Sequence, residues 1–218
     1  MTDILLPVPA LSTAPTAEEI LAHARSMVEP AHRKAVGDLP ASVRIVAGYH
    51  IGWWEADGTP RRTSGKALRP ALTLGCAAAA GAADLTEAVP AAVAVELVHD
   101  FSLLHDDIMD ADPTRRHRPA AWTQFGVPLA VLAGDALLTD AVRLAATGTR
   151  GALAARIVAD ALRDLCRGQA ADIAFEQRDD VALEECLAMA ADKTGALLGA
   201  ACHLGAVAAG ADPATAHC

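Results

Sequence analysis

From Pro90 to Asp110 the chain reads PAAVAVELVHDFSLLHDDIMD, with no helix breaker after its first position. Pro at the start of a helix costs little, because the N–H it lacks would have no partner there. The stretch therefore reads as one long apolar helix that ends in carboxylates. At about 100° per residue, Asp106 and Asp110 lie within about 40° of each other, one turn apart, with Asp107 on the adjoining flank. Like charges placed this way weaken a bare helix. Their neighbours are Phe101, Leu103, Leu104, Ile108 and Met109, unlike a solvated acidic face. Two readings stand: a hard cation such as Mg²⁺ shares the carboxylates, together with phosphate oxygens and water, or the segment is simply a polar helix end.

The rest of the chain supports an all-α fold. Ala and Leu dominate, aromatics make up only 3% of residues, and Ala and Leu are strong helix formers. Residues 1–15 hold three prolines and read as a loose arm. Thr16 is a natural N-cap, with Glu18 and Glu19 in the first turn of a helix to about Gly37. Residues 48–65 read as a long loop anchored by Trp53 and Trp54. Helices follow over about 69–81, 90–110, 128–147, 152–177 and 181–209, with a polar connection at 112–119, a short segment at 120–126 and no strand pattern. The whole is one domain, 1–218. Gly210 is a helix stop, and Asp212-Pro213 is a fresh helix start with few residues after it, so the chain reads as stopping where a helix begins.

The formal net charge of −9 repels nucleic acid, and no basic run carries interleaved aromatics. Residues 1–10 lack the basic start of a signal peptide. No apolar stretch reads as long and uncharged enough to span a bilayer. The five cysteines show no CxxC pairing and read as incidental thiols of a reducing compartment, which places the protein in the cytoplasm.

Cations surround the acidic helix end in sequence. Arg115 and Arg116 follow it directly, as suits a polyanion bridged to a metal, although ordinary surface arginines would look the same. Lys66 and Arg69, in SGKALRP, sit at the entry of a helix, where free N–H groups favour an anion. His99 falls beneath Asp106 and Asp110 on the wheel, where it either faces the same cavity or is structural.

Together these pieces resemble the trans-isoprenyl diphosphate synthases. GKALRP, then a helix through His99 into DDIMD, then two arginines and Arg118-Pro119, follow that family's order and spacing; GDALLTDA (134–141), GQAADI (168–173) and KTGALLGAA (193–201) extend it. The resemblance implies an all-α isoprenoid synthase fold of antiparallel helices around a central cavity, with C-terminal helices missing. It implies Mg²⁺ held by Asp106, Asp107 and Asp110 against an allylic diphosphate, which Arg115 and Lys193 also bind. Lys193 and Thr194 would lie near the reacting carbon. Lys66, Arg69, His99 and Arg116 would hold isopentenyl diphosphate, and Gln169 and Asp172 would face the cavity. The implied reaction is a prenyl transfer between these two substrates, in a homodimer. Phe101 and Ser102, five and four positions before the first aspartate, imply a medium chain, C20 favoured over C15.

Two departures stand out. The family's Gly-Gly-Lys is Ser64-Gly65-Lys66 here, and a second aspartate-rich motif is absent, so the chain alone would be inactive. A class I terpene cyclase of related fold and a non-catalytic subunit of a synthase are the alternatives. The intact Lys66, Arg69 and Arg116 disfavour the first, and the intact DDIMD disfavours the second.

Overall fold

The computed structural model describes residues 15–61 and 65–212. Nearly all of the expected arm, Ser64, Pro213 and Cys218 lie outside them. Helix α1, Ala17–Gly37, starts where a capping box places it: Thr16 Oγ1 accepts from the Glu19 N–H at 3.2 Å, and the Glu19 carboxylate accepts from the Thr16 N–H at 2.7 Å. Then come α2, Ala41–Ile51, and α3, Leu68–Ala79. A 3₁₀ turn at Leu85–Ala88 leads into α4, Val89–Met109, the helix expected from the breaker-free run. Beyond it lie α5 (Ala121–Phe125), α6 (Val127–Ala145), α7 (Gly151–Phe175), α8 (Leu183–Ala190) and α9 (Ala196–Ala208).

Helix α4 is the core. It packs most extensively on α6, and also on α3, α9 and α1. Val93, Val95, Leu97, Val98 and Leu104 are each 1% exposed or less. Burying each contributes roughly 1.5–3 kcal/mol before the cost of ordering it. Contrary to the sequence expectation, the stretch Leu85–Met109 is long and apolar enough, by length and composition, to cross a membrane. Its apolar side chains are used instead to pack the surrounding helices, which is why it carries so few charges.

Three other expectations are corrected. The loop placed at 48–65 begins later, because α2 continues to Ile51 and ends at Gly52, in the left-handed region at φ 100°. Gly48, read as a turn former, is helical for a packing reason: the Trp54 indole lies where its Cβ would be. Trp53 and Trp54 do anchor the loop after α2, Trp53 at 4% exposure and Trp54 by donating Nε1–H to the Ile45 carbonyl at 2.9 Å. The polar connection at 112–119 contains a small hairpin of β1, Thr114–Arg115, and β2, Arg118–Pro119. Finally, the helix expected over 181–209 is interrupted by a π turn at Ala191–Gly195, between α8 and α9. A π turn inserts a residue into the helical ladder, which often marks a functional position. Cys76, Cys166, Cys186 and Cys202 are free thiols.

Candidate active site

Asp106 and Asp110 face helix α7 and the π turn. Lys193, in the middle of that turn, places Nζ 3.6 Å from Asp106 Oδ1 and 2.5 Å from Asp172 Oδ2. Gly168 makes this possible, since any Cβ there would meet the Lys193 backbone N at 2.3 Å. Gln169, beside it and 5% exposed, holds Nε2 3.5 Å from Asp110 Oδ1, while its Oε1 is buried without a hydrogen-bond partner. Burial raises the Asp106 pKa; Lys193 pulls it down and Asp110 pushes it up, and the net shift is upward. Burial works against the Lys193 charge, but Asp172 and Asp106 more than offset it.

Asp107 does not join this group. It is buried, and Arg115 grips it with Nε at 2.7 and 2.8 Å from its two oxygens and Nη2 at 2.6 Å from Oδ1. Among the described residues no three carboxylates, imidazoles or thiols converge on one point. Of the three expected ligands, Asp106 and Asp110 thus form a pair one turn apart and incompletely neutralised, while Asp107 is engaged by Arg115. That pair fits Mg²⁺, which takes one or two protein carboxylates and fills its octahedron with phosphate and water oxygens.

The hairpin separates the two adjacent arginines. Arg116 and His117 form its turn with φ 51° and 61°, the both-positive geometry of a type I′ turn, which suits strand twist but costs side chains other than Gly, Asn or Asp. Arg115 in β1 turns back to Asp107, whereas Arg116 reaches the opposite way and donates Nη1–H to the Ile51 carbonyl at 2.9 Å. Arg118 pins the hairpin down. Its guanidinium lies 4.1 Å from the Tyr49 ring centroid and bonds Glu55 at 2.9 Å.

Arg116 thereby enters a second region, a cavity of about 490 Å³ between α1, α3 and α4. Lys66, Arg69 and His99 line it too, as the sequence grouped them, with the first turn of α3 at its edge. That turn has no side-chain cap, and Ala67 before it sits at φ 55°. Among the described residues neither Lys66, Arg69 nor Arg116 has a carboxylate at ion-pair distance, and Arg69 Nε is buried without a partner. By contrast Arg33, Arg118, Arg143, Arg167 and Arg178 each pair with an acid. Unpaired cations in a strongly acidic protein mark a place built for an anion. His99 is neutral there, because burial first and then Arg69 push its pKa down to about 4.

Sequence reasoning missed the acids that also line this cavity, Glu96 and Asp100. Burial, reinforced by Asp100, raises the Glu96 pKa to about 7. Asp100 is 4% exposed and lies 3.1 Å from His32 Nε2; burial opposes its charge, but His32 and the other histidines hold its pKa low. His50 is buried and neutral, with desolvation driving its pKa to about 3. Glu96, His99 and Asp100 are spaced to share one face of an otherwise apolar helix, a signal that was available. Arg25 of α1, which also lines the cavity, gave none.

Some expected site residues stand apart. Thr194 is exposed. Phe101 is buried at 8% exposure, its ring edge-on to His105 with centroids 4.7 Å apart. Ser102 donates its hydroxyl to the His99 carbonyl at 2.9 Å. Asp172 joins the Lys193 group as expected of a cavity residue.

Comparison with known proteins gives this geometry a context. The sequence pattern described as polyprenyl synthetase matches residues 60–218. A (2E,6E)-farnesyl diphosphate synthase of Mycobacterium bovis is 49% identical over 195 residues, 88% of this chain and 54% of that protein. A geranylgeranyl diphosphate synthase of Mycobacterium tuberculosis is 44% identical over 200 residues, 90% of this chain and 57% of its own. The chain thus spans little more than half the length of these relatives. The crystal structure of a polyprenyl synthetase from Streptomyces coelicolor superposes with a TM-score of 0.88 at 46% identity, covering 92% of this chain and 60% of that one. The isoprenoid synthase fold implied by the sequence is the fold found. On both sequence and structure, this chain belongs to the polyprenyl synthetase family.

Proposed function

We propose that the protein condenses an allylic diphosphate with isopentenyl diphosphate, lengthening the chain by one isoprene unit. The observation that carries this is the pairing of two unlike anion sites on one helix. His99 and Asp106 are seven residues apart on α4, about two turns or 10 Å along the same stripe. One site is rich in carboxylates and suited to a metal-bridged diphosphate; the other is a cavity of unpaired cations suited to a diphosphate without metal. Two substrates that each carry a diphosphate need such a pair.

In this reading Asp106 and Asp110 hold Mg²⁺, which when bound neutralises charge developing on the allylic leaving group. Lys193 and Arg115 add fixed positive charge beside it, and Asp107 orients Arg115. Asp172 and Gln169 hold Lys193 and Asp110 in place. Thr194, exposed beside Lys193 in the π turn, is assigned a place near the reacting carbon by the family resemblance. Lys66, Arg69, Arg116 and neutral His99 anchor isopentenyl diphosphate, so that its double bond faces the allylic carbon as the carbon–oxygen bond breaks. A new carbon–carbon bond forms, and loss of a proton from the adjacent carbon restores a double bond. The apolar helices keep water from the cationic carbon.

Phe101 and Ser102 set the product length, with C20 favoured over C15. The relatives carry both farnesyl and geranylgeranyl names, so the preference rests on the family pattern at Phe101 and Ser102. The family pairing of two copies is supported by Val127, Leu132 and Val142, which α6 leaves exposed; light scattering tests it. The decisive experiment for the activity is calorimetric titration of the purified protein with a non-hydrolysable allylic diphosphate analogue, with and without Mg²⁺. Mg²⁺-dependent binding that Asp106→Asn abolishes is the expected result. Binding indifferent to both metal and Asp106 overturns the proposal.

A further inference from the structure

We infer that Arg25, on the first helix, is a fourth cation of the metal-free diphosphate cavity and the residue that positions Lys66. The inference rests on reading that cavity as the isopentenyl diphosphate site. Arg25 lies upstream of residue 60, where the family pattern begins, and nothing in the spacing around Lys66 points to it. In the fold it lines the same cavity as Lys66, Arg69 and Arg116. Its Nη2–H donates to the Gly65 carbonyl at 2.9 Å, across 40 residues of sequence. That bond ties the residue next to Lys66 to α1. It matters because Lys66 is itself exposed, on a segment whose next residue is held at a positive φ.

The charge of Arg25 is also uncommitted. Its helical neighbour Glu29 lines the cavity but is taken by Arg33 at 2.7 Å. Among the described residues no acid lies at ion-pair distance from Arg25, and its Nε is buried without a hydrogen-bond partner. One guanidinium thus has two uses: part of its fork is spent on a carbonyl that fixes the loop, and its charge remains for the ligand. Arg suits this better than Lys, whose ammonium lacks the planar fork.

The test uses inorganic pyrophosphate as the probe, in EDTA, so that the aspartate pair cannot recruit a metal. Arg25→Gln should weaken binding about tenfold, the scale of one charge-assisted hydrogen bond. Arg25→Lys should recover part of that loss, because it restores the charge but not the fork. Mg²⁺-dependent binding of the allylic diphosphate analogue should be unchanged in both Arg25 variants, a pattern that mere loosening of α1 does not produce. Arg143→Gln, a change of the same charge on α6 outside the cavity, where the arginine pairs with Asp140, should have no effect. Pyrophosphate affinity within twofold of the parent in both Arg25 variants overturns the inference, as does an equal loss in Arg143→Gln. Should Arg25→Gln fail to fold, Arg25→Lys decides the matter alone, since full parental affinity in it excludes the tether. Lys66→Gln and Arg69→Gln separate the two levels of argument. If they weaken binding and Arg25 variants do not, Arg25 alone is misassigned; if they too have no effect, the cavity is not a diphosphate site.

Discussion

The two proposed anion sites along α4 pose opposite electrostatic problems. At the aspartate end, acids outnumber bases: Asp106, Asp107, Asp110 and Asp172 face Arg115 and Lys193, and both cations are already engaged. At the cavity end, none of Lys66, Arg69 and Arg116 has an acid at ion-pair distance among the described residues, although Glu96 and Asp100 line the same cavity and act on Arg69. On the proposed function, the first site repels a diphosphate until a cation is added, and the second attracts one unaided. The difference teaches that a chain with a formal charge of −9 can still present an anion site, provided its cations are kept from its own carboxylates.

The largest effect that would break this contrast is at Asp106. Asp106→Asn should reduce Mg²⁺-dependent binding of an allylic diphosphate analogue by at least about 100-fold, as expected for loss of a principal electrostatic group. Metal-free pyrophosphate binding should stay within about twofold, because Debye screening separates sites about 10 Å apart. Parallel losses in both assays would merge the two sites into one.

Stability separates the arginines. Arg115→Ala leaves Asp107 buried and uncompensated, which should cost about 3–5 kcal/mol in chemical denaturation. Arg116→Ala leaves no buried acid behind, so its stability cost should be below about 1 kcal/mol, while pyrophosphate affinity in EDTA falls about tenfold. Equal destabilisation would show that both arginines serve the same partner.

The third measurement concerns pH. Burial places the folded Glu96 pKa at about 7, above its unfolded value of 4.5. A carboxyl with a raised pKa binds its proton better when folded, so its contribution is most favourable at low pH. Stability should therefore fall as pH rises from 4.5 through about 7, by on the order of a few kcal/mol, and level off above. Glu96→Gln should flatten that slope. A slope unchanged by the substitution would remove Glu96 as the buried counter-charge of the cavity. The smallest effect is expected at the hairpin, where His117→Gly relieves a positive φ and should raise stability by about 0.5–1 kcal/mol, less than the full left-handed penalty because Gly also loosens the unfolded chain.

The fold was legible wherever one local signal was unopposed. Thr16 and Glu19 announce the start of α1, and the breaker-free run from Pro90 announces α4. Helix α2 was hidden, because Gly48 looks like a turn former until Trp54 is seen lying against it. The π turn was hidden too, since one inserted residue leaves composition untouched and only rotates the helix beyond it. At the site, the sequence grouped Lys66, Arg69, His99 and Arg116, which line one cavity, but gave no sign that Arg115 would engage Asp107. The helical wheel placed His99 on the stripe of Asp106 but did not show that His99 lines a separate cavity. It put Asp107 with its neighbours because spacing says nothing about Arg115 arriving from a hairpin. Arg25 was invisible for a plainer reason: one cation whose partner is a main-chain oxygen 40 positions later leaves no pattern.

The hairpin of β1 and β2 has a consequence for how this segment tolerates change. Adjacent arginines aimed at opposite destinations make the connection a ruler with no slack. Inserting or deleting a single residue between Asp110 and Arg118 would hand each guanidinium to the wrong address, turning the one that stabilises the fold toward the ligand and the one meant for the ligand toward a buried acid. A solvent-facing, polar stretch would ordinarily drift freely in length; this one should accept almost any chemistry at its outer positions and no change at all in its count.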